Sequence, residues 1–292
     1  MANLKDIRVR INSVKTTRQV TSAMKMVSAA KLKKAHDDVA HIHPYVEKLS
    51  GIIYDLVNSS AEDIKTELTT YREPDNVLIV PIASNRGLCG AFNSNVVKKT
   101  EELIKEKYSA QYKSSSLTII AIGKMAQKML NLHDYKVSKE YNDFYDNPSF
   151  ALASEIADSF IDGFTEKKYD RVIIVYNEFI NAVVQEIRAE QLLPLEMPVN
   201  KDTVHNYDYI FEPNINTIVK SIIPKALKTL FYKMLLDSQA SEHGARMTSM
   251  HKATDNATDL LNDLKLEYNK ARQGAITTEI LEIVSGSEAL KT

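Results

Sequence analysis

The sequence predicts an α/β protein in which the two terminal segments form a long antiparallel two-helix coiled coil and the middle forms a domain with a mostly parallel sheet. Three observations carry this expectation. Of the eight prolines only Pro44 lies outside the stretch from Pro74 to Pro224, so helix breakers crowd the middle and are scarce at both ends. In both terminal segments apolar residues recur at alternating steps of three and four. Between them the period changes to short β-rich runs separated by helical patterns. The expected divisions are residues 1–60 for the N-terminal helix, 75–200 for the central domain and 212–288 for the C-terminal helix.

At the N-terminal end Asn3 is placed to cap a helix, with Asp6 three residues later in a variant of the capping box. The heptad register then runs through Leu4, Ile7, Ile11 and Val14 and resumes at Leu32, Ala35, Val39, Ile42, Val46, Leu49, Ile53 and Leu56. In the gap the same register lands on Arg18, Thr21, Lys25 and Ser28, while Val20, Ala23, Met24, Val27 and Ala30 carry apolar character on another face. One helix from Leu4 to Leu56 would span roughly 80 Å at about 1.5 Å per residue, so it needs a partner along its length. Pro44 is expected to bend it rather than end it.

The C-terminal end supplies that partner. Asn214 and Asn216 are the expected caps, followed by Ile218, Ile222, Ala226, Leu230 and Met234, then by Met250, Ala253, Ala257, Leu260, Leu264, Ala271 and Leu281 at heptad-like spacing. Alanines in the seam permit close approach, and a chain that folds back between its ends pairs them antiparallel.

In the middle, Val77 to Ile82, Leu117 to Ile122 and Arg171 to Tyr176 read as strands. Helical patterns surround Val96 to Tyr108, Lys124 to Leu132 and Phe150 to Phe164. Such alternation implies a Rossmann-like domain with helices on both sheet faces. Asn181 to Leu193 reads as an added strand or hairpin at the sheet edge, ended by Pro194 and Pro198.

Composition narrows the function. With 292 residues, 44% of them hydrophobic, the chain can bury an ordinary core. Its net charge of -1 hides a strip of Lys5, Arg8, Arg10, Lys15, Arg18, Lys25, Lys31, Lys33 and Lys34 opposed only by Asp6, which calls for an acidic neighbour. A single cysteine, Cys89, excludes an internal disulfide framework and an all-cysteine metal site, and fits a reducing compartment. No apolar run reaches the roughly 20 residues of a membrane-spanning helix, and the first residues carry neither a signal-peptide core nor an import leader. The bacterial cytoplasm or its membrane face is the expected location.

Three features invite sharper readings. The loop from Ser84 to Asn93 follows the first strand and opens a helix, where an α/β sheet can cradle phosphate. It lacks the three-glycine dinucleotide fingerprint and the Gly-Lys-Ser/Thr ending of an ATPase loop, so a tight structural turn is the stronger reading, and Cys89 without a local histidine reads as a packed thiol. His36, Asp37, His41 and His43 do not repeat on one helical face as a closed metal site would. The basic strip could bind nucleic acid, but a pI of about 6.7 and the absence of tryptophan favour an acidic protein surface. A nucleic-acid-binding scaffold and a nucleotide-dependent enzyme are the competing classes.

The ends decide between them. Ile7-Arg8-Val9-Arg10-Ile11-Asn12-Ser13-Val14 and Thr21-Ser22-Ala23-Met24-Lys25-Met26-Val27-Ser28-Ala29-Ala30-Lys31 resemble the start of the γ subunit of F-type ATP synthase. Ala240-Ser241-Glu242-His243-Gly244-Ala245-Arg246-Met247, Ala253-Thr254-Asp255-Asn256-Ala257, Tyr268-Asn269-Lys270-Ala271-Arg272-Gln273 and Ile276-Thr277-Thr278-Glu279-Ile280 are similar to that family's last helix, and the loop at Ser84 to Asn93 matches too. The resemblance implies a central rotor stalk without catalytic, cofactor-binding or metal-binding residues of its own. Its implied partners are the α and β subunits of a hexameric ring, the ε subunit and the c-ring, with no nucleic acid and with membrane contact only through the c-ring. By resemblance, Met24 and Lys25 would lie against an acidic lever segment of β. Arg246, Arg272, Gln273, Thr277 and Glu279 match positions that couple rotation to catalysis, Arg272 and Gln273 through a catch loop of β. Asn85 stands where the family commonly has aspartate and Ala91 where glycine is usual. The paired-cysteine insertion of chloroplast versions is missing, so thiol switching is not expected.

Overall fold

A computed structural model of the chain describes residues 4–59, 66–145, 148–196, 212 and 214–289. Helix α1 (Leu4–Ser59) is followed by strand β1 (Val77–Pro81), helices α2 (Phe92–Lys107) and α3 (Ser109–Lys113), strand β2 (Leu117–Ile122) and helix α4 (Lys124–Leu132). Strand β3 (Lys139–Tyr141), helix α5 (Phe150–Thr165), strands β4 (Arg171–Phe179) and β5 (Gln185–Leu193) and helix α6 (Ile215–Ala289) complete the order. Among the described residues no helix is long and apolar enough to cross a membrane. The chain divides into two compact units, Met1–Ser28 with Met247–Thr292, and Ala29–Arg246.

In the larger unit the five-stranded sheet has the order β3-β2-β1-β4-β5, parallel except for the last pair. Because side chains alternate along a strand, each strand feeds two cores. Val77, Ile79, Ile119, Ile173 and Val175 pack with Val96, Val97, Leu103 and Ile104 of α2 and Leu130 of α4. Leu78, Val80, Ile82, Ile120, Ile122, Val172, Ile174 and Tyr176 pack on the other face with Ile156, Phe160 and Phe164 of α5 and with Val219, Ile223, Leu227, Phe231 and Leu235 of α6. A Rossmann-like sheet covered on both faces is thus present, and one cover is a stretch of the long C-terminal helix itself. Gly123, at φ +90°, is where β2 meets α4; a Cβ there would sit 1.9 Å from the Ala83 carbonyl oxygen. Only glycine fits such a conformation and approach.

Within this unit α6 has two buried faces. The residues spaced by four from Val219 to Phe231 face the sheet, whereas Ala226, Thr229 and Leu230 line a cleft with Val46, Leu49 and Ile53 of α1. Tyr45 lies under the Lys225 ammonium at 5.8 Å, and Lys31 is close enough to Glu242 to act on its charge, so α1 and α6 run antiparallel. Helix α1 continues through Pro44, and α6 contains Pro224. Asn214 caps α6, its Oδ1 accepting from the Thr217 amide at 2.9 Å; Asn216 lies inside the helix, and Asn3 and Pro198 fall outside the described residues.

In the smaller unit Ile7, Thr21, Ser28, Met250, Ala257, Leu261 and Leu264 are buried. The α1 register therefore passes straight through its polar stretch, since Thr21 and Ser28 are buried while Val20 and Val27 are exposed. The hydroxyls of Thr21 and Thr254 lie 2.9 Å apart across this seam. Two C-terminal seam expectations require correction: Leu261 rather than Leu260 is buried, because the register slips by one residue, and Leu281 is exposed.

Candidate partner interface

On α1, Met24 and Lys25 are half-buried beside exposed Val20, Met26 and Val27. Such a run of apolar side chains on an otherwise charged helix marks a contact surface. On α6, Ala271 is half-buried, and every residue from Arg272 to Ser287 is exposed. Ile276, Ile280, Leu281, Ile283 and Val284 are among them, with Ile283 67% exposed. Arg272, Gln273, Thr277 and Glu279 share this stretch, and the Thr277 hydroxyl bonds back to the Gln273 carbonyl at 2.9 Å. Gly274 and Gly286 interrupt it, each costing a helix about 1 kcal/mol relative to alanine. Neither packing among the described residues nor intrinsic propensity accounts for this segment.

Arg246 is placed differently, in the larger unit and buried. Its guanidinium pairs with Glu242 and donates through Nη2 to the carbonyl oxygens of Arg86 at 3.1 Å and Gly87 at 3.3 Å. Of the seven residues implied by resemblance, six lie on the smaller unit, and Arg246 is bound inside the larger one.

The Ser84 to Asn93 loop is closed from within. The Asn93 Oδ1 accepts from the Ser84 amide at 2.9 Å and the Ser84 hydroxyl at 3.0 Å, and Asn93 Nδ2 donates to Cys89 Sγ at 3.2 Å. Asn85, the departure from the usual aspartate, donates through Nδ2 to the Asn142 carbonyl at 2.8 Å and accepts from the Lys124 amide at 3.1 Å. A phosphate cradle presents amide N–H groups to its anion. Here the Arg86 and Gly87 carbonyls turn inward to Arg246, so the loop is a structural turn. Burial pushes the Cys89 thiol up, against a hydrogen bond with Ser84, which leaves it a packed thiol.

Sequence reasoning missed how polar the buried part of α6 is. From Met234 to Gly244 every residue is buried, including Asp237, Ser238, Gln239, Ser241, Glu242 and His243. Burial raises Glu242, partly offset by Arg246, Lys31 and Arg86, and raises Asp237 to about 6, offset by Lys233. Burial, with Arg246 and Lys31 adding repulsion, lowers His243 to about 4. The signal available was the close spacing of small residues, Ser238, Ala240, Ser241, Gly244 and Ala245, which marks a helix packed on all sides. His36, His41 and His43 are exposed, and among the described residues no group of three His, Cys, Asp or Glu side chains could hold a metal ion.

Residues 3–290 match the family described as ATP synthase. The ATP synthase gamma chain of Christiangramia forsetii is 50% identical over 290 residues, covering 99% of each chain. The chain belongs to the ATP synthase gamma-chain family. The gamma chain of Flavobacterium johnsoniae is 51% identical with 99% of each chain covered, and that of Chlorobaculum tepidum 40% identical with all of both covered. The fold agrees with a chain of the Euglena gracilis mitochondrial ATP synthase rotor at a TM-score of 0.65, with 94% of this chain and 98% of that one covered at 21% identity. A second chain, from the OSCP/F1/c-ring structure of the same enzyme, gives a TM-score of 0.67 at 21% identity, covering 98% of this chain and 94% of that one.

Proposed function

We propose that this chain is the central rotor stalk of an F-type ATP synthase. It transmits rotation between the membrane c-ring and the catalytic ring of α and β subunits, and so couples ion translocation to ATP synthesis or hydrolysis. It is non-catalytic by itself and sits peripherally at the cytoplasmic face of the bacterial inner membrane, meeting the membrane only through the c-ring. Residues 1–60 and 212–288 serve as the paired helices and residues 75–200 as the domain that meets the ε subunit and c-ring.

The observation that carries this reading is the uncovered end of α6, sixteen consecutive exposed residues from Arg272 to Ser287 that include five large aliphatic side chains. A lone apolar helix end of this kind is stable only inside a sleeve supplied by other chains. Arg272, Gln273, Thr277 and Glu279 are the contacts to β on that end, Met24 and Lys25 the contacts on α1, and Arg246 contributes from the loop it binds. A helix pair inside a threefold ring touches each β subunit differently. Turning it therefore changes which catalytic site is stabilised open or closed.

Removing Arg272 to Thr292 from the assembled complex tests this reading. Coupled ATP synthesis should fall by at least about tenfold, corresponding to roughly 1.4 kcal/mol of lost coupling. Undiminished synthesis would show that the terminal contacts are irrelevant.

A further inference from the structure

Leu88 is unfavourably placed on two counts. It adopts φ +64°, a left-handed conformation that a side chain with a Cβ resists, and it is 65% exposed to water. Exposed Arg86 and Gly87 precede it, and buried Cys89 follows. Glycine would relieve both costs, so the conformation has to be imposed by the surroundings.

The surroundings that impose it are identifiable. On one side Ser84, Cys89 and Asn93 lock the base of the loop, and Phe92 bonds back to the Cys89 carbonyl at 3.3 Å. On the other side the Arg246 guanidinium holds the two carbonyls just before Leu88, those of Arg86 and Gly87. Glu242, one helical turn back on α6, is buried and pairs with the same guanidinium. Its second oxygen, Oε2, has no hydrogen-bond partner among the described residues, so the ion pair is the main satisfaction of that carboxylate. Arginine suits this task because its planar fork reaches a carboxylate and two carbonyls together, which a lysine ammonium cannot reproduce.

We propose that Arg246 is a positioning residue, acting within the chain: with Glu242 it clasps the Arg86–Gly87 carbonyls and so holds Leu88 as a fixed apolar projection towards a neighbouring subunit. Arg246 then influences coupling through the loop and makes no direct contact with a partner. The consequence for coupling rests on the stalk function proposed above; the clasp itself does not.

Cys89 is the only cysteine, lies in the clasped loop and is 1% exposed, so its reaction with an aromatic disulfide reports loop opening in the full chain. Arg246→Gln should speed that labelling by about tenfold or more, with Arg246→Lys in between, since the lysine retains charge but not the fork. Phe160→Leu, which loosens the core away from the loop, gives the rate expected from lost stability alone. If Arg246→Gln labels no faster than Phe160→Leu after both are compared at equal stability, the clasp is overturned. A second arm measures ion transport per ATP hydrolysed in complexes assembled from each chain. Arg246→Gln should lower that ratio, Arg246→Lys should restore it partly, and Leu88→Gly should lower it while leaving Arg246 intact. A faster-labelling Arg246→Gln chain with an unchanged ratio overturns the positioning role. Failure of the unmodified chain to support coupled transport instead refutes the stalk function, and leaves the labelling result to decide the clasp.

Discussion

Replacing His243 with glutamine isolates an acid-labile part of the stability of the Ala29–Arg246 unit. In the folded chain burial, with Arg246 and Lys31 nearby, lowers the imidazole from 6.5 to about 4. Above about pH 6.5 the ring is neutral whether folded or unfolded, and the full stability is present. As pH falls towards 4 the unfolded chain takes up a proton that the folded chain refuses, so stability is lost, by about 3 kcal/mol once pH is below both values. Asp237 works in the opposite sense. Burial raises it from 3.8 to about 6, so the folded chain keeps a proton the unfolded chain releases, and stability is lost as pH rises through that window, again by about 3 kcal/mol. Between about pH 4 and pH 6 the two slopes oppose each other and nearly cancel. His243→Gln should unmask the Asp237 slope: urea unfolding followed by circular dichroism should show the variant gaining about 3 kcal/mol relative to the natural chain between about pH 7 and pH 4. Asp237→Asn should produce the mirror image. A His243→Gln difference that is constant across this range would refute the reasoning, because it would mean that His243 titrates alike in both states.

Other substitutions test the packing. Gly123→Ala should cost about 3 kcal/mol or more by urea denaturation, since it combines left-handed strain with a Cβ driven into the Ala83 carbonyl. Phe231→Ala, which empties a fully buried site whose ring stacks edge-on against Phe160 at 5.5 Å, should cost about 3–5 kcal/mol by the same assay. Thr254→Val should cost about 1 kcal/mol through loss of its bond to Thr21, measured as a lower unfolding midpoint. Truncation before Arg272 should change that midpoint little, within about 0.5 kcal/mol, because the removed residues described here are exposed.

Strands β1, β2 and β4 were legible because a parallel strand buried on both faces is a continuous apolar run, as Val77 to Ile82 shows. Strand β3 was missed: it is only Lys-Glu-Tyr at the sheet edge, and nothing in three half-polar residues distinguishes a strand from a loop. The far half of β4, Asn177 to Phe179, was missed for a related reason, since it pairs only with β5 and carries polar residues. The α1 heptad was legible even where its seam turns polar, although the apolar face through Val20 and Val27 pointed away from the actual seam. That misdirection is informative: apolar residues off the seam are what a partner would cover. The slip from Leu260 to Leu261 shows how little a lone pair of leucines fixes register. Arg246 was singled out by resemblance, but its role was invisible in sequence, because the carbonyls it holds lie 160 and 159 residues away and carbonyls leave no residue signature.

Backbone amide exchange across Arg272 to Ser287 tests the central claim most directly, measured on the free chain and on the chain assembled with its ring. With no cover from the described residues, these amides should exchange almost as fast as in a frayed helix when the chain is alone. On assembly they should slow by at least about a hundredfold, while the buried sheet strands stay as protected as before. Equal exchange in both samples would contradict the account, since the bare end of α6 would then have no sleeve to fill.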